Sequence, residues 1–77
     1  MRIRTAHDLA AFARGRRRAL GWSQGELAER SGVSRKWVSD FEAGKASVAT
    51  DLVLAVLSEL GLELVGRVPA DPPGLHP

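Results

Sequence analysis

Glycine stands at positions 21, 32, 44 and 61, and each closes a stretch patterned for a short helix. Thr5 and Asp8 read as a capping box for the first stretch. Residues 6–20 then place Leu9, Phe12, Ala13 and Leu20 on one helical face, with arginines opposite. Gly15 inside this stretch costs about 1 kcal/mol relative to alanine, which the pattern survives. Ser23 and Glu26 form a second capping box and open a helix through Ser31 that buries Leu27 and Ala28. At Gly32 the chain must turn sharply, which a residue without Cβ permits because positive φ costs it little. Ser34 caps a third helix to about Glu42 or Ala43, with Val38 and Phe41 inward. A fourth starts between Ser47 and Asp51, and its Val53, Leu54, Val56, Leu57 and Leu60 occupy more circumference than one core stripe needs.

The second and third helices, joined by a turn of three or four residues containing glycine, carry the spacing of a helix-turn-helix. Past Gly61 the pattern changes. Residues 62–68 alternate, with Leu62, Leu64 and Val68 on one side, as a strand does. A lone strand in a helical chain leaves its backbone donors and acceptors unmatched, and a second copy of the chain is the cheapest partner. The expected dimer interface is therefore Val53, Val56, Leu57, Leu60, Leu62, Leu64 and Val68. All four prolines follow Val68, so residues 1–68 read as one domain and 69–77 as an extended or disordered tail.

Size and composition narrow the function. A 77-residue chain buries only roughly 60% of its unfolded surface, so its own core is marginal. Cysteine is absent, and the two histidines, His7 and His76, lie near opposite ends. Disulfide scaffolds, zinc fingers and cysteine nucleophiles are excluded, and no metal or cofactor is expected. Nor is there a paired-carboxylate cleft, a glycine-rich phosphate loop or a nucleophile with a base, so the chain reads as a non-enzyme. No apolar run approaches the roughly 18 residues of a membrane span, and no signal peptide opens the chain. The expected location is the cytoplasm, at the nucleoid when bound to DNA. The net charge of +2 conceals an asymmetry: nine basic against three acidic side chains in residues 1–36, and Lys45 and Arg67 against six acids in residues 37–77. The basic half either presses on a polyanion or is simply a solvated face.

The run from Gly21 through Lys45, with Ser23-Gln24-x-x-Leu27-Ala28, then Gly32-Val33-Ser34, then Glu42-x-Gly44-Lys45, resembles the xenobiotic-response-element family of helix-turn-helix regulators. These are relatives of the phage lambda and 434 repressors and Cro proteins. The Gly-Trp-Ser-Gln run, together with Leu57-Ser58-Glu59-Leu60-Gly61-Leu62-Glu63-Leu64, is similar to the HipB-type antitoxin branch. The resemblance implies an all-α, lambda-repressor-like bundle of four to five helices, with one short C-terminal strand pairing across a homodimer. It also implies an Arg17–Glu42 ion pair fixing the third helix to the first, and a HipA-like serine/threonine kinase toxin as partner.

The third helix is also read on its own chemistry. With Val38 and Phe41 buried, Ser34, Arg35, Lys36, Ser39 and Asp40 point outward toward base edges in a major groove. Arg35 suits guanine O6 and N7, and Lys36 suits either a base or a phosphate. Asp40 either accepts from cytosine N4 or orients a neighbouring cation. Ser23, Gln24, Trp37 and Lys45 are the expected phosphate contacts: Gln24 sits at a helix N-terminus where anions bind, and the family resemblance implies that its side chain and Lys45 hold the DNA backbone. Trp37 covers sugar-phosphate or a thymine methyl, or else packs on a neighbouring helix. Trp22 reads as a packing staple and His7 as a solvated first-turn residue. Arg14, Arg16 and Arg18 track phosphates or only solvate their helix, and Gly25 either admits a phosphate or is neutral. The expected function is a homodimeric, sequence-specific repressor on a pseudo-palindromic operator, as the antitoxin of a HipBA-like operon. The alternatives are a stand-alone regulator and a mainly protein-binding toxin inhibitor.

Overall fold

Short polar side chains cut the chain into helices where the local pattern requires. In a computed structural model, which describes residues 2–45 and 48–68, four helices follow in order: α1 Ala6–Ala19, α2 Gln24–Ser31, α3 Arg35–Glu42 and α4 Thr50–Glu59. The described residues contain no strand, so the fold is all-α. Thr5 caps α1 by accepting from Asp8 N–H at 3.0 Å. The Asp8 carboxylate reaches past Thr5 and accepts from Arg4 N–H at 3.0 Å, so the box closes one residue earlier than its usual form. That bond holds the Asp8 carboxyl below its ordinary range. At α2 the box is complete, with Glu26 N–H on Ser23 Oγ and Ser23 N–H on Glu26 Oε1. Helix α4 has no side-chain cap.

Helix α2 packs on both α3 and α4, and α1 on α3. Ala13, Leu27, Ala28, Val38, Phe41, Val53, Val56, Leu57 and Leu60 form the shared core. Trp22 packs against it directly before the Ser23 cap, as a staple does. Three sequence expectations change. The strand expected over residues 62–68 is not formed in the single chain, which among the described residues offers it no partner strand. Phe12, placed on the inner face of α1, is 38% exposed, because Ala10, Ala13 and the buried Arg17 form the inward stripe instead. Val53, Val56, Leu57 and Leu60, assigned to a dimer interface, are covered by their own chain, Val56 completely. A chain this short needs them for its core. What stays open is Leu54 on α4, with Leu64, Val65 and Val68 beyond it. Leu62 is half-buried against the core, and its N–H donates to Leu57 C=O at 2.9 Å. Among the described residues, 63–68 make no backbone hydrogen bond. The expected tail, residues 69–77, lies outside the described residues.

Three residues join α2 to α3, and they fix the angle between them. Gly32 takes φ 71° and ψ 28°, after which Val33 N–H returns to Ala28 C=O at 3.0 Å. Gly44, φ +79°, does a second job: a Cβ there would lie 3.2 Å from His7 Cα and 3.1 Å from its Nδ1. So the turn after α3 is seated on the first turn of α1. His7 is exposed, as expected, yet it lines that seat.

Candidate nucleic-acid interface

A buried ion pair orients the outward face of α3. Arg17 Nε donates to Glu42 Oε2 at 2.7 Å and its second terminal nitrogen to Glu42 Oε1 at 2.9 Å, a two-pronged contact between α1 and α3. The remaining arm of the guanidinium donates to Trp22 C=O at 2.7 Å, so the same arginine also fixes the entry to α2. Its hydrogen bonds to Glu42 raise the Arg17 pKa further. Gln24 Nε2 joins the network through Glu42 Oε1 at 3.2 Å. One carboxylate thus holds the two elements expected to meet DNA.

With α3 held this way, Arg35, Lys36 and Ser39 line one side of an open hollow of about 360 Å³, and Gln24 of α2 lines the other. A second hollow of about 250 Å³ shares Gln24 and Ser39 and continues onto α1 past Arg14 and Arg18. Ser34 sits at the start of α3, its hydroxyl accepting from Trp37 N–H at 3.0 Å. Ser23 caps α2 in the same manner. Each hydroxyl keeps its hydrogen as a donor. Trp37 is half-buried against the core, its ring stacked on Phe41 at 5.4 Å between centroids.

Asp40 and the two lysines form one cluster. Lys36 Nζ lies 2.9 Å from Asp40 Oδ2, and Lys45 Nζ lies 3.1 Å from Oδ1. Lys45 N–H also donates to Asp40 C=O at 3.2 Å. The hydrogen bonds from Lys36 and then Lys45 hold the Asp40 carboxyl below the usual carboxylate range. In the lone chain Asp40 thus holds both neighbouring cations.

The three undecided arginines of α1 separate cleanly. Arg14 and Arg18 belong to the second hollow. Arg16 turns away, and its Nε donates to Leu60 C=O at 2.9 Å, capping the C-terminus of α4. Arg30 stacks over the Trp22 ring at 4.3 Å. Nothing local in the sequence announces the Arg16 bond, whose partner lies 44 residues away. Gly25 shows no close approach beyond Ser23 Oγ at 3.8 Å.

Among the described residues no group of His, Cys, Asp and Glu is placed to hold a metal ion. No helix among them is long and apolar enough to cross a membrane.

Residues 8–68 match the family described as helix-turn-helix domain. The chain is 38% identical over 63 residues to y4mF of Sinorhizobium fredii, an uncharacterised HTH-type transcriptional regulator, covering 82% of this chain and 83% of that one. Among solved structures it resembles HipB in a HipB–O2 20mer complex, with TM-score 0.82 and 25% identity, over 92% of this chain and 97% of that one. It also resembles a chain of the HipA–HipB–O2–O3 complex, with TM-score 0.81 and 25% identity, over 87% and 94% of the two chains.

Proposed function

The chain belongs to the helix-turn-helix domain family, and from that premise we propose that it is a sequence-specific DNA-binding repressor acting as a homodimer on a pseudo-palindromic operator. The observation that carries this reading is the hollow between α2 and α3, lined by Gln24, Arg35, Lys36 and Ser39. Arg35 and Lys36 project from the first turn of a recognition helix, where base edges are read, with Ser39 one turn further on and Gln24 at the start of α2. Arg35 reads guanine through O6 and N7, and Ser34, Lys36 and Ser39 approach neighbouring bases. Gln24, Ser23 and Lys45 take phosphates, which set register without specifying sequence. Arg14 and Arg18 extend that backbone contact onto α1, and the open edge of Trp37 covers sugar-phosphate.

In the dimer, residues 62–68 pair with their twofold mates, satisfying the backbone groups that one chain leaves open. Leu54, Leu64, Val65 and Val68 are the apolar surface available for it. Residues 1–68 then act as one DNA-binding and dimerising domain. The likeness to HipB, which occurs in a complex with HipA, supports an antitoxin role with a HipA-like kinase as partner. A second reading is a transcriptional regulator without a toxin, y4mF being described only as an HTH-type transcriptional regulator.

The test is a mobility-shift titration on a duplex enriched from a random library by the wild-type protein. Arg35→Ala and Lys36→Ala are expected to lose specific binding, whereas Gln24→Ala and Lys45→Ala weaken all sequences alike and flatten the salt dependence. Unchanged affinity in the first pair would sink the reading. A neighbouring kinase gene whose product co-purifies with the chain decides for the antitoxin, and recovery of DNA alone decides against it.

A further inference from the structure

We infer that Asp40 is a specificity-determining residue, which holds the Lys36 and Lys45 ammonium groups in place so that neither grips phosphate indiscriminately. This rests on the DNA-binding reading above and goes beyond it by giving the acid on the recognition helix a task.

Stability does not account for the cluster. Lys36 lies in the first turn of α3 and Asp40 in the last, so each charge opposes the helix dipole at its own end. Lysine preceding the acid by four residues is also the weaker order for such a pair. The Lys36 side chain is 82% exposed and that of Lys45 58%, and exposed pairs add little to folding. Yet Asp40 binds both lysines through separate oxygens, and Lys45 a second time through the backbone. An arrangement that gains so little in the free protein is explained by what it does to a ligand.

A free lysine is a flexible point charge that takes any phosphate within reach, and phosphate contacts do not read sequence. Tied to Asp40, Lys36 Nζ is held beside the hollow that Arg35 and Ser39 line. Two of its three N–H donors remain for a base-edge acceptor that lies in the right place. Meanwhile the carboxylate offsets both charges and repels phosphate on every sequence equally. Binding to random duplex falls, binding to the matching site keeps its base contact, and the ratio between them rises.

The experiment measures binding of the full chain to the wild-type-enriched duplex and to a random-sequence duplex of equal length, between about 50 and 200 mM salt. For Asp40→Asn, affinity for random duplex is expected to rise, with a salt slope steeper by about 0.9 for the phosphate contact that Lys36 gains. The specific-to-random ratio falls about tenfold, the scale of one lost base contact. In a Lys36→Ala/Lys45→Ala background the same substitution should no longer raise affinity for random duplex or steepen its salt slope. An unchanged slope and ratio for Asp40→Asn overturns the inference. So does a parallel weakening on both duplexes with a lowered melting temperature, which marks a structural role. A wild-type protein that binds neither duplex defeats the DNA reading and this inference together. A wild-type protein that discriminates no better than Asp40→Asn defeats this inference alone.

Discussion

Without the Glu42 carboxylate, the Arg17 guanidinium would sit at 10% side-chain exposure with the Trp22 carbonyl as its remaining acceptor. A buried charge stripped of its partner typically costs about 3–5 kcal/mol, a loss comparable to the whole stability of a domain this small. Glu42→Ala should therefore be largely unfolded in a urea titration at neutral pH, while Arg17→Met/Glu42→Leu, which removes both charges, should recover most of the lost midpoint. Recovery by the double variant separates an uncompensated charge from lost packing. Gly44 makes a different argument at the same scale. Alanine there must adopt positive φ, at about 1–2 kcal/mol, and must also push its Cβ toward His7 Cα, 3.2 Å away. Gly44→Ala should lower the urea midpoint, and adding His7→Ala should not restore it, because the backbone contact persists. The glycine was legible as a helix stop. Its contact with His7 was not, because the two residues meet only once α1 packs on α3.

Caps and stops carry their signal within a few residues, which is why the three N-terminal caps and the turn at Gly32 were readable from the sequence. The rotation of α1, with Phe12 turned outward, was not legible in its apolar pattern, although the family resemblance implied the Arg17–Glu42 pair that fixes it. The apolar excess on α4 was misread: a large apolar arc signals burial but does not say by which chain. Ser34 lets cap and interface be tested apart. Ser34→Ala removes the bond to Trp37 N–H and should cost roughly 1 kcal/mol of stability. Ser34→Asp should keep the melting temperature, since aspartate also caps, yet weaken DNA binding by placing a negative charge at the groove. Equal stability losses in the two variants would show that the hydroxyl does more than cap. Asp8 supplies a pH signature for α1. Its pKa is lowered in the fold from 3.8 by the Arg4 N–H bond, so its stabilising contribution is fully present above that value and vanishes as pH falls through the lower folded one. The stability difference between wild type and Asp8→Asn should thus stay constant around neutral pH and shrink as pH falls below 3.8.

The charge asymmetry takes a spatial form in the whole molecule. Arg14, Arg18, Arg35 and Lys36 line the two hollows that meet at Gln24 and Ser39, while the most exposed apolar side chains among the described residues, Leu54, Leu64, Val65 and Val68, lie on α4 and after it. Reading a pseudo-palindrome requires two recognition helices about 34 Å apart, and a single chain presents one. Leu64 at 55% exposure and Val68 at 85% do not support the fold of their own chain, so replacing them probes association rather than folding. Leu64→Asp/Val68→Asp should keep the helical circular dichroism of the wild type but sediment as a monomer. Placing four aspartates around one small twofold contact cancels apolar burial worth roughly 1.5–3 kcal/mol for each fully covered side chain. On DNA the variant should lose the coupling between half-sites and bind a single half-site as weakly as one recognition helix allows. Had Val56 or Leu60 been chosen instead, the helices themselves would melt and the result would say nothing about assembly. If the variant remains a dimer in sedimentation, the contact lies elsewhere, and the exposed face of α4 around Leu54 becomes the surface to alter.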